Sequence, residues 1–450
     1  MNTHAPIAEH SQASLASFMA ENPDVEIVEL LIVDPNGILR GKIAPIDTVK
    51  KALGLGVNFP VSIHGLDCWG REVPQTGLHI ESGDRDGFFR AVPNSLSIIP
   101  WSEASAAQML LEGYCAKGDP LAFDCRHVLN SAINTLAEMG VTAVAAFELE
   151  FFILDEAAKI PTTASTGPDQ QLMYCLEAVG EHSALFDEIR SAAQKQGVLI
   201  DTIVSEAAPG QFEVNLKHRS NVMRAADDAV LLRRIVKACA NKLGKRATFM
   251  AKPFIDHAGN GMHVHVSLCK RTGGNVFADS DEGSTKLKSC VASLLKTMPT
   301  QLPVFINSWN GFRRMQPGSY APTTAAWGEN NRSVAVRIPA SDVKNRRIEH
   351  RIAGADTNPY LVLASILSAM ADGLKNLCEP PPASEGNAYD QHGLESLGGD
   401  LPTALGLMEV DPFTITSLGP EMAKVFMAIK HAEAAEFGLE ITPLERSTYL

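Results

Sequence analysis

The chain has 450 residues, 45% of them hydrophobic and 20% charged, which is globular chemistry with length enough for more than one core. Acidic residues outnumber basic ones by 52 to 39, giving a formal net charge of -13, and no Lys/Arg run breaks that balance, so nucleic acid is a poor partner. The eight cysteines form no CxxC pair, the first residues lack a basic start followed by an apolar stretch, and no run of about 18 apolar residues occurs; a cytoplasmic protein with reduced thiols and no membrane contact is expected.

Taken in chain order, residues 12–21 read as a short helix, and Val25–Val33 with Ile38–Ile43 as a hairpin turned at Asp34-Pro35-Asn36-Gly37. An irregular Gly/Pro-rich stretch carrying His64, Asp67 and Trp69 follows, and the division into units is set at 1–103 and 104–450. Arg126–Met139 has helical spacing, with Asp124 as cap and Gly140 as stop. Val141–Leu154 is β-branched and aromatic enough for a strand, and 156–170 is a polar loop. Asp227–Leu243 is a second long helix. A third begins at Asp356-Thr357-Asn358-Pro359 and runs to about Leu377, before an exposed loop from Glu379 to Pro402. No repeat and no clean βαβ alternation is present, which predicts an α+β protein with a mainly antiparallel sheet.

The chemistry concentrates on polar faces of strands. Glu148 and Glu150 lie two apart in AAFELEFFIL and so share one face, as His263, His265 and Ser267 do in GMHVHVSL and Arg347, Glu349 and Arg351 in RRIEHRI. Glu206 and Glu213 come from SEAAPGQFEVN. Side-by-side carboxylates in apolar strands are costly unless a cation neutralises them. Each residue alone is more often a surface charge or a satisfied core histidine, but five carboxylates with histidine and no thiolate suit Mg²⁺ or Mn²⁺, and two ions rather than one, which implies a polyanion such as ATP. Arg313, Arg314, Arg332 and Arg337 stand close by in sequence, side chains able to grip carboxylate or phosphate in a bidentate fork. Neither a Walker loop nor a dinucleotide fingerprint is completed anywhere in the chain.

The stretches ELEFF, GQFEVN, KRATFMAKPF, GNGMHVHVSL, NNRSVAVRIP and RRIEHRIAGADTNPYLVLASIL, in that order, make the chain resemble the glutamine synthetase family from about Val25 to Leu450. The resemblance implies a small N-terminal β-grasp-like domain and a large catalytic domain with a curved antiparallel sheet. It also implies active sites between neighbouring subunits of a homo-oligomer, a dodecamer of two stacked hexameric rings. Position by position, it makes Glu150, Glu206 and Glu213 ligands of one metal and Glu148, His263 and Glu349 of the other. Gly259, Arg314 and Arg351 would grip glutamate, and His265, Ser267, Arg337, Lys344 and Arg347 would face ATP. Arg332 would meet the transferred phosphate, and Glu206 is the analogous candidate for taking the amine proton. The implied reaction activates the γ-carboxylate of glutamate as an acyl phosphate, which an amine then captures.

Two departures matter. Where glutamine synthetases carry an acidic flap residue shortly after Pro-Gly, QPGSYAP has Tyr320, and where they carry Asp in Phe-Asp-Gly-Ser-Ser, Phe59-Pro60-Val61-Ser62 stands here. Both changes remove an anionic partner of ammonium, which points to a wider pocket for an organic amine, lined by Tyr320, Trp69 and Asp67 or His64. In this the chain resembles the γ-glutamylpolyamine (γ-glutamylputrescine) synthetase branch, which implies putrescine, spermidine or spermine as co-substrate. Glutamine synthesis from ammonia, glutamylation of ethanolamine or an alkylamine, and a non-catalytic role are the rival readings. Tyr389, near where some family members are adenylylated, reads as an unmodified loop tyrosine.

Overall fold

The computed structural model describes residues 8–155, 173–278 and 282–450, so the loop expected at 156–170 lies outside the described residues. Two sheets organise the chain. The smaller contains β1 (Ile27–Val33), β2 (Leu39–Pro45), β3 (Val57–Pro60), β4 (Asp86–Ala91), β5 (Ser97–Ile98) and β6 (Ala106–Tyr114) in the order β2-β1-β6-β4-β3, with β5 on β6. The expected hairpin is β1 and β2, and Gly37 at its turn has a φ of 74°, the left-handed region glycine enters without strain. β1 and β6 run parallel, as a β-grasp-like unit requires. β6 lies beyond the 103/104 division and is the sheet's middle strand.

The larger sheet gathers β7 (Val141–Asp155), β8 (Ile200–Ser205), β9 (Gln211–Leu216), β10 (Lys245–Thr248), β11 (Met262–Lys270), β12 (Trp327–Glu329), β13 (Val336–Ile338) and β14 (Ile348–His350). Its order is β12-β13-β14-β11-β7-β9-β8 with β10 also on β7, and every pairing except β12 with β13 is antiparallel. Together with the flanking helices it forms the curled α+β architecture expected.

The pleat gives this sheet two chemically different faces. On β7, Ala143, Ala145, Phe147, Leu149 and Phe151 point into the core while Glu148 and Glu150 point the other way. β11 repeats the pattern, burying Met262, Val264, Val266 and Leu268, and β9 buries Phe212, Val214 and Leu216. At about 1.5–3 kcal/mol for each fully buried large side chain, a one-residue register slip would cost the whole apolar face, so the polar face is fixed in place by what lies behind it.

The helices agree with the sequence reading except at their ends. Cys125–Glu138 is capped by Asp124, whose side chain accepts from the Arg126 N–H, and Pro359–Asn376 is capped by Asn358 and closes at a left-handed Leu377. The first helix starts at Ala8, earlier than expected. The second long helix also starts earlier, at Val222, because Asn221 caps it. Asp227 and Asp228 are interior residues tied to Arg126 and Tyr360, and to Arg219 and Arg224. Pro402 already belongs to the helix Leu401–Val410. Among the described residues no helix is long and apolar enough to cross a membrane.

Candidate active site

Adjacent rungs of the larger sheet build the polar face. His263 and Asn215 flank Glu148, Glu213 stands opposite Glu150, and Glu349 sits between His265 and Arg337. Glu206 joins them from just beyond the end of β8. The face opens into a cavity of about 520 Å³, into which Glu148, Glu150, Glu206, Glu213, His263 and His265 project. Gly259, Arg314, Tyr320, Arg332, Arg337, Arg347 and Arg351 line its remaining walls. Ser267 and Lys344 line a second cavity of about 1110 Å³, which shares Glu148, Asn215, His265 and Arg347 with the first. Glu349 is buried behind the wall, held by Arg337 Nη1 at 2.7 Å and by Arg351.

Among the described residues, three groups of donor atoms lie close enough together to hold a metal ion: Glu150, Glu206 and Glu213; Glu148, Glu213 and His263; and Glu148, His265 and Glu349. The first is the ligand set expected for one ion. Of the other expected set, Glu148 and Glu349 fall in one group with His265, and Glu148 and His263 in another with Glu213. His265 Nε2 stands 2.9 Å from Glu148 Oε1, while His263 Nδ1 is 3.3 Å from Glu148 and 3.9 Å from Glu213.

Electrostatics divide these carboxylates. Burial pushes Glu148 up, but the neighbouring His263 and His265 outweigh it and hold the carboxyl well below the usual range. Glu349, also opposed by burial, is drawn down to about 2, chiefly by Arg351 and then by the two histidines. Glu206 goes the other way, to about 8, through burial and the charge of Glu150, against the weaker pull of Arg332. Glu213 is likewise raised, by burial and then by Glu148, Glu150 and Glu206. Hard oxygen donors that repel one another in this way fit a divalent cation, which would relieve both burial and repulsion.

The opposite wall is built for close approach. A Cβ at Gly259 would lie 2.5 Å from the Ala251 carbonyl and 2.7 Å from Arg314 Cγ, so only glycine fits. Arg314 is buried, lines the cavity and donates to the carbonyls of Ile352 and Arg351, with Glu150 the carboxylate that acts most on it. Tyr320 is 58% exposed at the rim and has a left-handed φ of 58°.

Sequence reasoning missed the supports. Gln211 donates to the Gly259 carbonyl and to Asn260 Oδ1, and Asn330 accepts from Arg337 Nη2. Their only signal is position, beside Glu213 and Arg332, since an amide carries no periodicity. Three expected wall residues do not line this chain's own cavity. His64 is enclosed between Phe89 and Phe123, Asp67 is buried and bonded to Arg71 and the Trp69 N–H, and Trp69 packs on Phe437.

Comparisons agree with this geometry. A family model of the glutamine synthetase catalytic domain matches residues 122–449. The chain is 38% identical over 441 residues to gamma-glutamylputrescine synthetase of Escherichia coli (strain K12), covering 95% of this chain and 92% of that one. It is 30% identical to a glutamine synthetase of Thermotoga maritima, with 96% and 97% covered, and 31% identical to a glutamate–isopropylamine ligase of Pseudomonas sp., with 82% of each covered. A solved complex of GmaS with ADP superimposes with a TM-score of 0.86 at 27% identity, covering 97% of this chain and 99% of that chain.

Proposed function

The chain belongs to the glutamine synthetase family and is an ATP-dependent glutamate–amine ligase, and from that premise we propose that its amine is a polyamine, with putrescine, spermidine and spermine as the candidates. The observation carrying the proposal is Tyr320 at the cavity rim, where an anion would favour ammonium. A tyrosine offers instead a ring face for a methylene chain and its distal ammonium. The greater identity to a putrescine-using relative supports the same reading.

In this reading Arg314, Arg351 and the close approach at Gly259 orient glutamate, and Arg337, Arg347, His265, Ser267 and Lys344 face the nucleotide. Glu150, Glu206 and Glu213 would hold one Mg²⁺ or Mn²⁺, and Glu148 and Glu349 with His263 or His265 another. Such ions supply positive charge against the triphosphate. A γ-carboxylate oxygen of glutamate bonds to the terminal phosphorus as the bond to ADP breaks, with Arg332 meeting the charge that develops on the phosphoryl oxygens. The amine nitrogen then bonds to the acyl carbon, phosphate leaves, and Glu206, on the wall of the same cavity, takes the nitrogen's proton.

We further propose a cytoplasmic dodecamer, in which Trp69, 46% exposed, would reach the cavity of a neighbouring subunit. We place the division between units after β6 instead of at 103/104. The deciding experiment measures phosphate release from ATP, Mg²⁺ and glutamate with ammonium, putrescine, spermidine, spermine, ethanolamine or isopropylamine in turn. Polyamines should support turnover at the lowest concentration; ammonium doing so alone defeats the proposal.

A further inference from the structure

The stretch from Glu379 to Asp400 contains one short 3-10 turn, Ala388–Asp390, and its composition reads as a free loop. Its hydrogen bonds describe a brace. On one side Ser384 N donates to the Trp327 carbonyl and Trp327 Nε1 donates to the Pro381 carbonyl, both at 2.7 Å. Asn331 Nδ2 donates to the carbonyls of Ser384 and Gly386, and Ala388 N donates to Ser333 Oγ at 3.0 Å. Asn331 and Ser333 flank Arg332. On the other side Ala325 N donates to the Glu395 carbonyl, Leu397 N donates to the Thr323 carbonyl, and the Tyr389 hydroxyl donates to the Ala321 carbonyl at 3.0 Å. Between the two sets, buried Ala326, Val334 and Ala388, with Leu394 against them, form an apolar cluster separate from the main core. A segment that merely connects two helices has no need of a core shared with both catalytic turns.

Ala321 follows Tyr320, whose left-handed backbone is one that a residue with a Cβ keeps only where its surroundings hold it. We infer that Tyr389 is a positioning residue for amine selection: its hydroxyl, bound to the Ala321 carbonyl, fixes the turn that sets Tyr320 at the cavity rim. The same brace steadies Arg332 through Asn331 and Ser333, by contacts that do not involve the phenol. The inference rests on the reading of Tyr320 as the residue facing the amine.

Tyr389→Phe keeps the ring and removes only the hydroxyl. With the amine the unaltered enzyme uses best, the amine KM should rise about tenfold, the worth of one hydrogen bond, while kcat and the KM values for ATP and glutamate stay within about twofold. The preference for that amine over its competitors should fall in parallel. In a Tyr320→Gly background the same substitution should change the amine KM by less than about twofold, because the residue it acts through is gone. Parallel changes in all three KM values, no change in any, or equal effects in both backgrounds overturn the inference. If the unaltered enzyme accepts only ammonium, the polyamine reading is what fails, and the comparison run with ammonium still decides the role of Tyr389.

Discussion

The two carboxylate groups of the site are chemical opposites although they share a strand. Glu148 and Glu349 stand among His263, His265, Arg337 and Arg351, and both are held below the ordinary range. Glu150, Glu206 and Glu213 face one another, and Glu206 and Glu213 are raised. The first group therefore carries its own counter-charge and keeps its shape whether or not a cation is bound. The second is a site whose affinity and protonation move together, because each proton it holds must leave before a divalent ion enters.

The largest effect should come from breaking the self-neutralised group. Glu349→Ala leaves Arg337 and Arg351 facing each other beside a cavity, and removing one partner of a buried ion pair costs about 3–5 kcal/mol. Phosphate release should be abolished and the melting temperature should fall, whereas Glu206→Gln should impair turnover without lowering the melting temperature. Equal thermal shifts in the two variants would show that the contrast is not real.

The second group is sharpened by pH. Glu206 rises from 4.5 to about 8 on folding without metal, so the folded chain holds a proton that the unfolded chain gives up between those values. Its contribution to stability is complete below about 4.5 and is lost as the pH climbs through about 8. Metal-free protein should thus lose stability across that window, and Glu206→Gln should flatten the slope. Addition of Mg²⁺ at pH 7 should release protons into a weakly buffered solution, with less released above pH 8. A slope and a proton release untouched by Glu206→Gln would refute the assignment.

How far the sequence reached follows from the same physics. Period two in AAFELEFFIL and GMHVHVSL places Glu148, Glu150, His263 and His265 on one polar face because the alternate residues fill the core, and that much is local. Which histidine meets Glu349 is not local: it depends on the register of β14 against β11, which pairs Glu349 with His265. The start of the helix at Val222 was hidden because Asp227 and Asp228 resemble caps, and only their partners Arg126, Tyr360, Arg219 and Arg224, distant or in the preceding turn, reveal them as interior. His64 and Asp67 depart from expectation for a related reason: a polar residue in a Gly/Pro-rich stretch carries no mark of burial, and both are buried.

A smaller effect tests the glutamate wall. Gly259→Ala sets a methyl group 2.5 Å from the Ala251 carbonyl, too close for the backbone to stay in place. The wall must shift, taking the Gln211 bond to the Gly259 carbonyl with it. The KM for glutamate should rise about tenfold, with a smaller loss of metal affinity passed on through the Gly261 N–H that donates to Glu150, and little change in the KM for ATP. A rise in the ATP KM instead would move glutamate elsewhere in the cavity.

The smallest change in overall rate, and the most specific, is expected at Tyr320. The residue is 58% exposed and belongs to neither carboxylate group, so Tyr320→Glu should leave stability and the binding of metal, ATP and glutamate nearly unaltered. What it adds is a negative charge at the rim, where a small cation would wait for the acyl phosphate. Preference measured as the ratio of kcat/KM values should move toward ammonium by about tenfold, consistent with one added charge in a partly solvated setting. Because Tyr320 belongs to none of the groups able to hold a metal, this shift should persist unchanged in Mn²⁺ as in Mg²⁺; a ratio that does not move would separate amine choice from Tyr320 and return it to other residues of the cavity, with Glu206 first among them.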